Sequence, residues 1–363
     1  MGSKTSPTVS RHRRGRIARL KQALSSPYVR YRHANMIHAV RVALAMATTI
    51  LLTTGINLPH GEWASVSLLV VVGGLQHYGN VRKKAMERAV GTMLGALIGL
   101  TLIVLMSLSG SLLLFFTLMS MVAGACAYYA IGRPGYVALL TAITMVIVAG
   151  HGDLDFSTGL WRTANVLIGI SIAVAFSFVL PQYALYAWRY RVADNLRDCA
   201  RLYGALLDGK PQPIEQTSNR FVVMSQRLVQ ARGLMESVAK ETRVPLARLE
   251  ELQRLHRSIL ETLEMLINSQ PSSGFELACT PREYAVRRQL LRTARALRFG
   301  RASLLHQRND ASGTLLEGSG QDATAQGMHW LAMRFSEQVE RFRLRLSEIE
   351  GHWNIENARR PNS

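Results

Sequence analysis

Residues 85–107 read AMERAVGTMLGALIGLTLIVLMS, and this stretch decides the class of the protein. One acid and one arginine lie near its start, and no charged residue follows them. At a rise of about 1.5 Å per residue, a helix of this length crosses the ~30 Å hydrocarbon layer of a bilayer. The stretch is therefore predicted to be a transmembrane helix.

Other apolar stretches surround it and extend the prediction to a polytopic membrane domain. Each of the six has about 17–24 residues, which is the length that a bilayer requires. The predicted spans are residues 34–57, 62–78, 85–107, 111–131, 135–151 and 160–181.

The charges between the spans favour one orientation in the bacterial inner membrane. Residues 1–33 contain nine Lys or Arg and no acid, and the basic triplet 82–84 follows the second span. Cytoplasmic connections carry the excess of Lys and Arg in membrane proteins, so both termini are predicted to be cytoplasmic. The alternate connections contain no Lys or Arg: residues 57–61, 107–111 and 151–160.

Composition and motifs argue against several other classes of protein. The net charge of +19 suits a nucleic-acid-binding protein, but no motif that reads bases is present. The excess of Lys and Arg is explained by its effect on membrane orientation and by attraction to anionic lipid. The common phosphate-loop, zinc-protease, serine-hydrolase and calcium-loop motifs are missing. Cys126, Cys199 and Cys279 form no CxxC pair, so no metal site is indicated. We expect no enzyme activity, no cofactor and no nucleic-acid partner.

Three parts are predicted along the all-α chain. They are a basic cytoplasmic segment (1–33), a six-span transmembrane domain (34–182) and a cytoplasmic helical bundle (183–363). Within the bundle, Leu and Ile recur at steps of three and four from Leu246 to Leu266, the spacing of an amphipathic helix. The predicted helices of the bundle are residues 183–208, 215–240, 245–269, 281–307 and 324–351.

Charged residues inside the spans are the candidates for function. An Arg at a helix centre costs about 2.5–3.5 kcal/mol on insertion scales, so it usually faces protein or a wet cavity. Arg41 lies about two turns into the first span and shares a face with His38. Arg88 lies near the start of the third span, with Thr92 one turn further on. Together they place polar groups on otherwise apolar helices.

A third pair, Arg162 and Asn165, starts the sixth span on the outer side. One interpretation is that these residues line a path for an anion, because Arg offers fixed charge and planar donors that suit carboxylates. The alternative is that Arg88 and Arg162 reach the membrane surface or pair with a nearby acid, while His38 is a satisfied interior histidine. The substrate-path candidates are His38, Arg41, Arg88, Thr92, Arg162 and Asn165.

Gly91, Gly95 and Gly99 recur at four-residue spacing in the third span. Small residues on one face of a transmembrane helix let a neighbouring helix approach closely. This spacing is predicted to mark a helix-packing face rather than a binding site.

Two stretches resemble a known family. They are EWASVSLLVVV at residues 62–72 and KAMERAVGTMLGA at residues 84–96. Together they resemble the fusaric acid resistance (FUSC) and aromatic acid exporter superfamily, whose helix carries an Arg-x-x-Gly-Thr-x-x-Gly motif. Arg88, Gly91, Thr92 and Gly95 match it here. KETRVP at residues 240–245 is also similar to half-size bacterial members, and plant aluminium-activated malate channels resemble the chain more distantly.

The resemblance implies transport of organic anions and, from the plant relatives, a dimer whose pore is lined by basic side chains. Arg88 is the residue that the motif identifies most directly. Since full-length exporters have two membrane halves and this chain has one, a homodimer is expected. We therefore expect an inner-membrane transporter or channel that exports small organic carboxylates, aromatic ones included. The alternative is a membrane scaffold or sensor whose helical domain binds a partner protein.

Overall fold

Every secondary-structure element in the described part of the chain is a helix, which confirms the all-α prediction. The chain separates into two units, residues 1–182 and 183–363, here called the apolar unit and the tail unit. A computed structural model describes residues 27–72, 78–132, 135–150, 156–178, 183–209, 213–269, 281–306 and 323–352.

The described part of the apolar unit contains seven helices. Four of them have segments long and apolar enough to cross a membrane: α2, α4, α5 and α7. α3 and α6, with 11 and 15 residues, are shorter. Their described residues extend roughly 16 and 22 Å at 1.5 Å per residue, and α3 reaches residues 73–77, which lie outside the described residues. The bounds are α1 Pro27–Arg32, α2 Ala34–Gly55, α3 Glu62–Val72, α4 Tyr78–Ser109, α5 Leu112–Ala130, α6 Gly135–Ala149 and α7 Phe156–Phe178.

The helix that contains the third predicted span begins before the span itself. α4 begins at Tyr78, so the basic triplet 82–84, predicted as a connection, belongs to the helix. Lys, Arg, Ala, Met and Glu all favour helix, whereas hydropathy marks only the apolar part of it, Met86–Ser109. Residues 73–77, where the second span was predicted to end, lie outside the described residues, as do residues 1–26 of the basic segment.

α4 and α6 run parallel and pack at very short range through glycine. A Cβ atom at Gly91 would stand 2.8 Å from the Val137 carbonyl oxygen, and one at Gly95 would stand 2.5 Å from that of Thr141. Gly99 likewise faces Val148, so positions on the two helices increase together. The predicted glycine face is therefore the surface that α4 presents to α6.

A second contact joins α3 to α7. Gly169 lies against the Ala64 backbone, so no side chain fits between the two helices there. Ala45 of α2, Leu68 of α3 and Val166 of α7 belong to the apolar core that fills this part of the unit. α5 is peripheral, with Phe115 its single buried residue in the described structure. Exposed apolar side chains such as those of α5 are what a lipid-facing surface requires.

The tail unit consists of amphipathic helices around buried aromatic and aliphatic side chains. α8 packs against both α9 and α11, and α10 packs against α13. The predicted stripe of α10 is buried at Leu249, Leu252, Ile259 and Leu263. The bounds are α8 Ala184–Leu207, α9 Ile214–Thr242, α10 Leu246–Asn268, α11 Pro281–Phe299, α12 Ser303–His306 and α13 Ala323–Ser347, followed by a 3-10 turn at Glu350–His352.

One predicted tail helix is divided. The prediction of a single helix over 281–307 is wrong, because α11 ends at Phe299 and α12 begins at Ser303. Gly300 lies between them with a φ of 66°. Glycine adopts this left-handed conformation without steric cost, which allows the chain to turn there.

The segment 240–245 has a structural role within the tail unit. The Glu241 carboxylate accepts hydrogen bonds from the backbone N–H groups of Ala184 and Leu185, both at 2.9 Å. It thereby satisfies donors that the first turn of α8 leaves unpaired. Arg243 takes a left-handed conformation after α9, and Pro245 directly precedes α10. The segment both turns the chain and fixes the start of α8.

Candidate anion site in the apolar unit

Arg88 is buried between the parallel helices α4 and α6. Its side chain is 3% exposed, and its guanidinium donates a hydrogen bond to the Tyr136 hydroxyl on the first turn of α6. Within the described part of the chain, Nε and Nη1 of Arg88 have no hydrogen-bond partner. The group is therefore a buried cation with donors left available.

Thr92 lies one turn beyond Arg88 and is fully buried. Thr141 and Thr49 donate to the carbonyl four residues earlier, as helical Thr often does. The Thr92 Oγ1 atom has no such partner among the described residues, and the same holds for the buried Ser67 Oγ on α3. Sequence reasoning missed Ser67 and Tyr136. The signal for Ser67 was a hydroxyl within the otherwise apolar 62–72 stretch.

Arg41 and His38 form a pair on α2. Nη2 of Arg41 lies 2.9 Å from Nδ1 of His38, and because a guanidinium can only donate, the ring nitrogen accepts. Arg41 is 6% exposed, and its Nε has no partner in the described structure. The buried face continues through Thr49 and Thr53, which the prediction had not included. The spacing of three residues correctly placed His38 and Arg41 together.

Arg162 and Asn165 lie elsewhere in the unit. Arg162 is half-buried, and Asn165 is buried with its Nδ2 donating to the carbonyls of Pro59 and Trp161 at 2.8 and 2.9 Å. Asn165 therefore ties the connection after α2 to α7. Asn165 contacts Pro59, which lies just after the end of α2. Arg41 lies 14 residues before that end. About 20 Å along the axis of α2 therefore separates Arg41 from the position of Asn165. The six candidates do not form one cluster.

The electrostatics distinguish two of these residues. Among the described residues, no carboxylate forms an ion pair with Arg41 or Arg88. A cation buried in a bilayer costs several kcal/mol unless water, protein dipoles or an anion compensates it. Arg88 and Arg41 therefore provide positive charge that this part of the chain leaves uncompensated, and Thr92 adds a hydroxyl beside Arg88.

A cavity of about 430 Å³ lies in the tail unit, between α9 and α10. Its lining carries both signs of charge, including Arg232, Glu236, Glu250 and Arg254. These four side chains are exposed. The cavity shares no residue with the buried arginines of the apolar unit.

The relationship of this chain to known proteins follows from a match to a protein family. The model of the fusaric acid resistance protein family matches residues 35–356, which is most of the chain. The chain belongs to the fusaric acid resistance protein family. The resemblance drawn from residues 62–72 and 84–96 is thereby confirmed, and the apolar helices fit a membrane protein with a role in transport.

Individual relatives agree with this assignment. The inner membrane protein YeeA of Escherichia coli K12 is 32% identical over 239 residues, which are 66% of this chain and 67% of the relative. The p-hydroxybenzoic acid efflux pump subunit AaeB of Edwardsiella ictaluri is 26% identical over 214 residues, 54% of this chain and 32% of the relative. The AaeB subunit of Escherichia fergusonii is 27% identical over 175 residues, 44% and 26% respectively. The chain thus spans about a quarter to a third of these pump subunits.

Proposed function

We propose that this chain exports small organic carboxylates, including aromatic ones, across the inner membrane, and that Arg88 is the main contact for the carboxylate. The observation that carries the proposal is the state of Arg88, a guanidinium 3% exposed with two nitrogens unpartnered in the described structure. A carboxylate matches the planar donors of Arg and neutralises its charge. Arg41 provides a second cation for the same path.

The neighbours of Arg88 suit such a substrate. Thr92 offers a hydroxyl one turn away, and Tyr136 orients the guanidinium through its hydrogen bond. Tyr136 lies on α6 and Ser67 on α3, so neighbouring helices place further hydroxyls in the same unit. The AaeB relatives are named for efflux of p-hydroxybenzoic acid, which supports an aromatic carboxylate as the class.

The proposed topology has six spans and cytoplasmic termini. It includes α3 and α6 as crossing segments and rests on the charge bias of the connections. Reporter fusions after residues 30, 109 and 200 are expected to report cytoplasm, periplasm and cytoplasm. A periplasmic signal after residue 200 would exclude this arrangement.

The proposed assembly is a homodimer, since the chain contains one membrane half. Native mass spectrometry in detergent is expected to show twice the 40.3 kDa chain mass. A monomer that transports in vesicles would contradict this.

The decisive experiment measures flux of labelled organic anions, with p-hydroxybenzoate in the panel, into proteoliposomes. Arg88→Ala is expected to insert and fold normally but to lose about 10- to 100-fold in flux, the equivalent of one hydrogen bond to a charged group. Arg88→Lys keeps the charge and loses the planar donors, so it is expected to recover part of the flux. Arg254→Ala, an exposed tail arginine, is the matched control.

The outcomes separate the alternatives. Full flux in well-folded Arg88→Ala contradicts the proposed contact. No flux of any anion in the native chain favours the scaffold function. If Arg88→Ala lowers folded yield and flux together, the role of Arg88 is structural.

A further inference from the structure

The six arginines of α11 fall into distinct groups in the folded tail unit. Arg287 lies 3.8 Å from Asp208 and Arg298 lies 4.0 Å from Asp194, both carboxylates of the segment 184–208. Arg288 and Arg295 are exposed, and no ion pair in the described structure joins either one to a carboxylate. Arg288 and Arg295 therefore differ from the paired arginines of the same helix.

The exposed pair shares its face of α11 with two aromatic residues. At 100° per residue, Tyr284, Arg288, Arg295 and Phe299 lie within about 60° of one another around the helix. Tyr284 is 36% exposed and Phe299 is 65% exposed. Glu283, the single acid of α11, is buried on the other side. We call these four residues the α11 outer face.

We propose that the α11 outer face binds the anionic surface of the membrane. Exposed arginines attract anionic headgroups at close range. Aromatic rings beside them enter the boundary between headgroups and acyl chains, as on amphipathic helices that lie in the membrane surface. A soluble polyanion would satisfy the arginines but would not remove Phe299 from water. The combination of cations and aromatics on one face therefore favours a lipid surface.

Two features of the chain make such binding effective. The face extends about 22 Å along the helix from Tyr284 to Phe299, so it contacts several headgroups at once. The tail unit is also covalently attached to a membrane protein, which keeps its local concentration near lipid high whatever its orientation. The inference depends on the cytoplasmic location of the tail in the proposed function, where the anionic leaflet lies, but it does not depend on transport.

The test uses the full chain in nanodiscs with a nitroxide at Leu291→Cys, a half-buried position between Arg288 and Arg295 on the same side of α11. Cys126 and Cys279 are replaced by Ala. Cys199 stays, because burial raises the pKa of its thiol to about 12 and keeps it unreactive. A second probe at Met265→Cys, exposed on α10, reports any change unrelated to α11.

In discs that contain phosphatidylglycerol, the nitroxide at position 291 is expected to be more accessible to molecular oxygen than in neutral discs. It is also expected to be less accessible to a water-soluble nickel reagent. The Met265→Cys probe is expected to stay unchanged. Salt near 1 M, where the Debye length is about 3 Å, should remove the difference. The double substitution Arg288→Gln and Arg295→Gln should lower the equilibrium ratio of membrane-bound to unbound α11 outer face by about 25-fold, because each near-surface arginine contributes about fivefold.

Three results would overturn the inference. One is equal accessibility at position 291 in neutral and anionic discs. Another is an equal loss from Arg254→Gln and Arg257→Gln, exposed arginines of α10, which would indicate general charge rather than the α11 outer face. The third is protection of position 291 in detergent without phospholipid, which would identify a protein partner or second copy. None of these readouts involves flux, so the proposed transport is tested separately.

Discussion

Arg88 in the apolar unit and Arg189 in the tail unit are buried to a similar extent, but they differ in their hydrogen-bond partners. Arg189 is 2% exposed, and its Nε and Nη2 both donate to the Leu297 carbonyl, at 3.0 and 2.8 Å. Its guanidinium also lies 5.6 Å from the centre of the Tyr186 ring. Arg88 has the Tyr136 hydroxyl and two nitrogens that the described structure leaves unpartnered. Both arginines therefore join two helices, but Arg88 also has nitrogens that the described structure leaves unpartnered.

Other buried polar groups also differ in whether they have a hydrogen-bond partner. In the tail unit, Arg227 lies 2.6 Å from Asp198, and Asn195 donates to the Met224 carbonyl. In the apolar unit, the buried hydroxyls of Ser67 and Thr92 have no partner in the described structure. Buried polar groups in proteins are normally hydrogen-bonded. Exceptions occur in both units, since Trp188 Nε1 and Gln338 Oε1 of the tail unit also lack a partner in the described structure.

The largest effect expected from this comparison concerns stability rather than transport. Arg189→Leu leaves the Leu297 carbonyl without its buried donor and is expected to cost about 2–4 kcal/mol. Arg88→Leu removes a charge that the described protein does not compensate and is expected to leave stability unchanged or raised. Thermal unfolding of the solubilised full chain checks both variants. Equal destabilisation by the two substitutions would remove the distinction between these arginines.

Acid is expected to destabilise the tail unit through His256. Burial lowers the pKa of His256 to about 4, while an unfolded histidine titrates near 6.5. As pH falls through this range, the unfolded chain gains a proton that the folded chain excludes, so stability decreases. The total loss at pH 4 is about 3 kcal/mol.

Unfolding followed from pH 7 to about pH 4 measures this effect. The His256→Leu variant should lack the part of the decrease in unfolding free energy at low pH that His256 contributes. His329→Leu, at an exposed position on α13, should retain it. Identical pH profiles for the native chain and His256→Leu would show that His256 does not couple acid to folding.

Glycine contacts in the apolar unit offer a test with an internal control. Gly95→Ala places a Cβ atom 2.5 Å from the Thr141 carbonyl oxygen, whereas Gly124→Ala on α5 meets open space. Both substitutions gain about 1 kcal/mol of helix propensity, so their difference isolates packing. We expect Gly95→Ala to be less stable than Gly124→Ala by about 1–3 kcal/mol. No difference in thermal unfolding would argue that α4 and α6 separate easily.

The smallest predicted effect is at Glu241, which accepts two backbone hydrogen bonds at the start of α8. Glu241→Ala is expected to cost about 1 kcal/mol, as the loss of a helix cap does. Glu236→Ala changes an exposed carboxylate of the same helix and serves as the control. If both variants unfold at the native temperature, the cap does not stabilise the tail unit.

Local patterns predicted much of this molecule because the forces behind them act over a few residues. Hydropathy identified the apolar helices, four-residue spacing identified the Gly91 face, and three-residue spacing paired His38 with Arg41. Hydropathy marked the apolar part of α4 but not the helical residues from Tyr78 that precede it. The predicted helix over 281–307 wrongly joined α11 to α12. Helix ends depend on turn geometry, such as the positive φ of Gly300, that average hydropathy does not detect.

The amino-acid sequence by itself determined that this is an all-α membrane protein of the fusaric acid resistance family, with buried cations in its apolar helices. The tertiary structure decided which of those cations have partners. Asn165 finds Pro59 across 106 residues, and Arg189 finds Leu297 across 108. Arg88 finds Tyr136 on a different helix. Such partners come into contact only after the helices pack. Because the free energy of a buried charge depends on its neighbours in space, the order of residues alone does not predict that free energy.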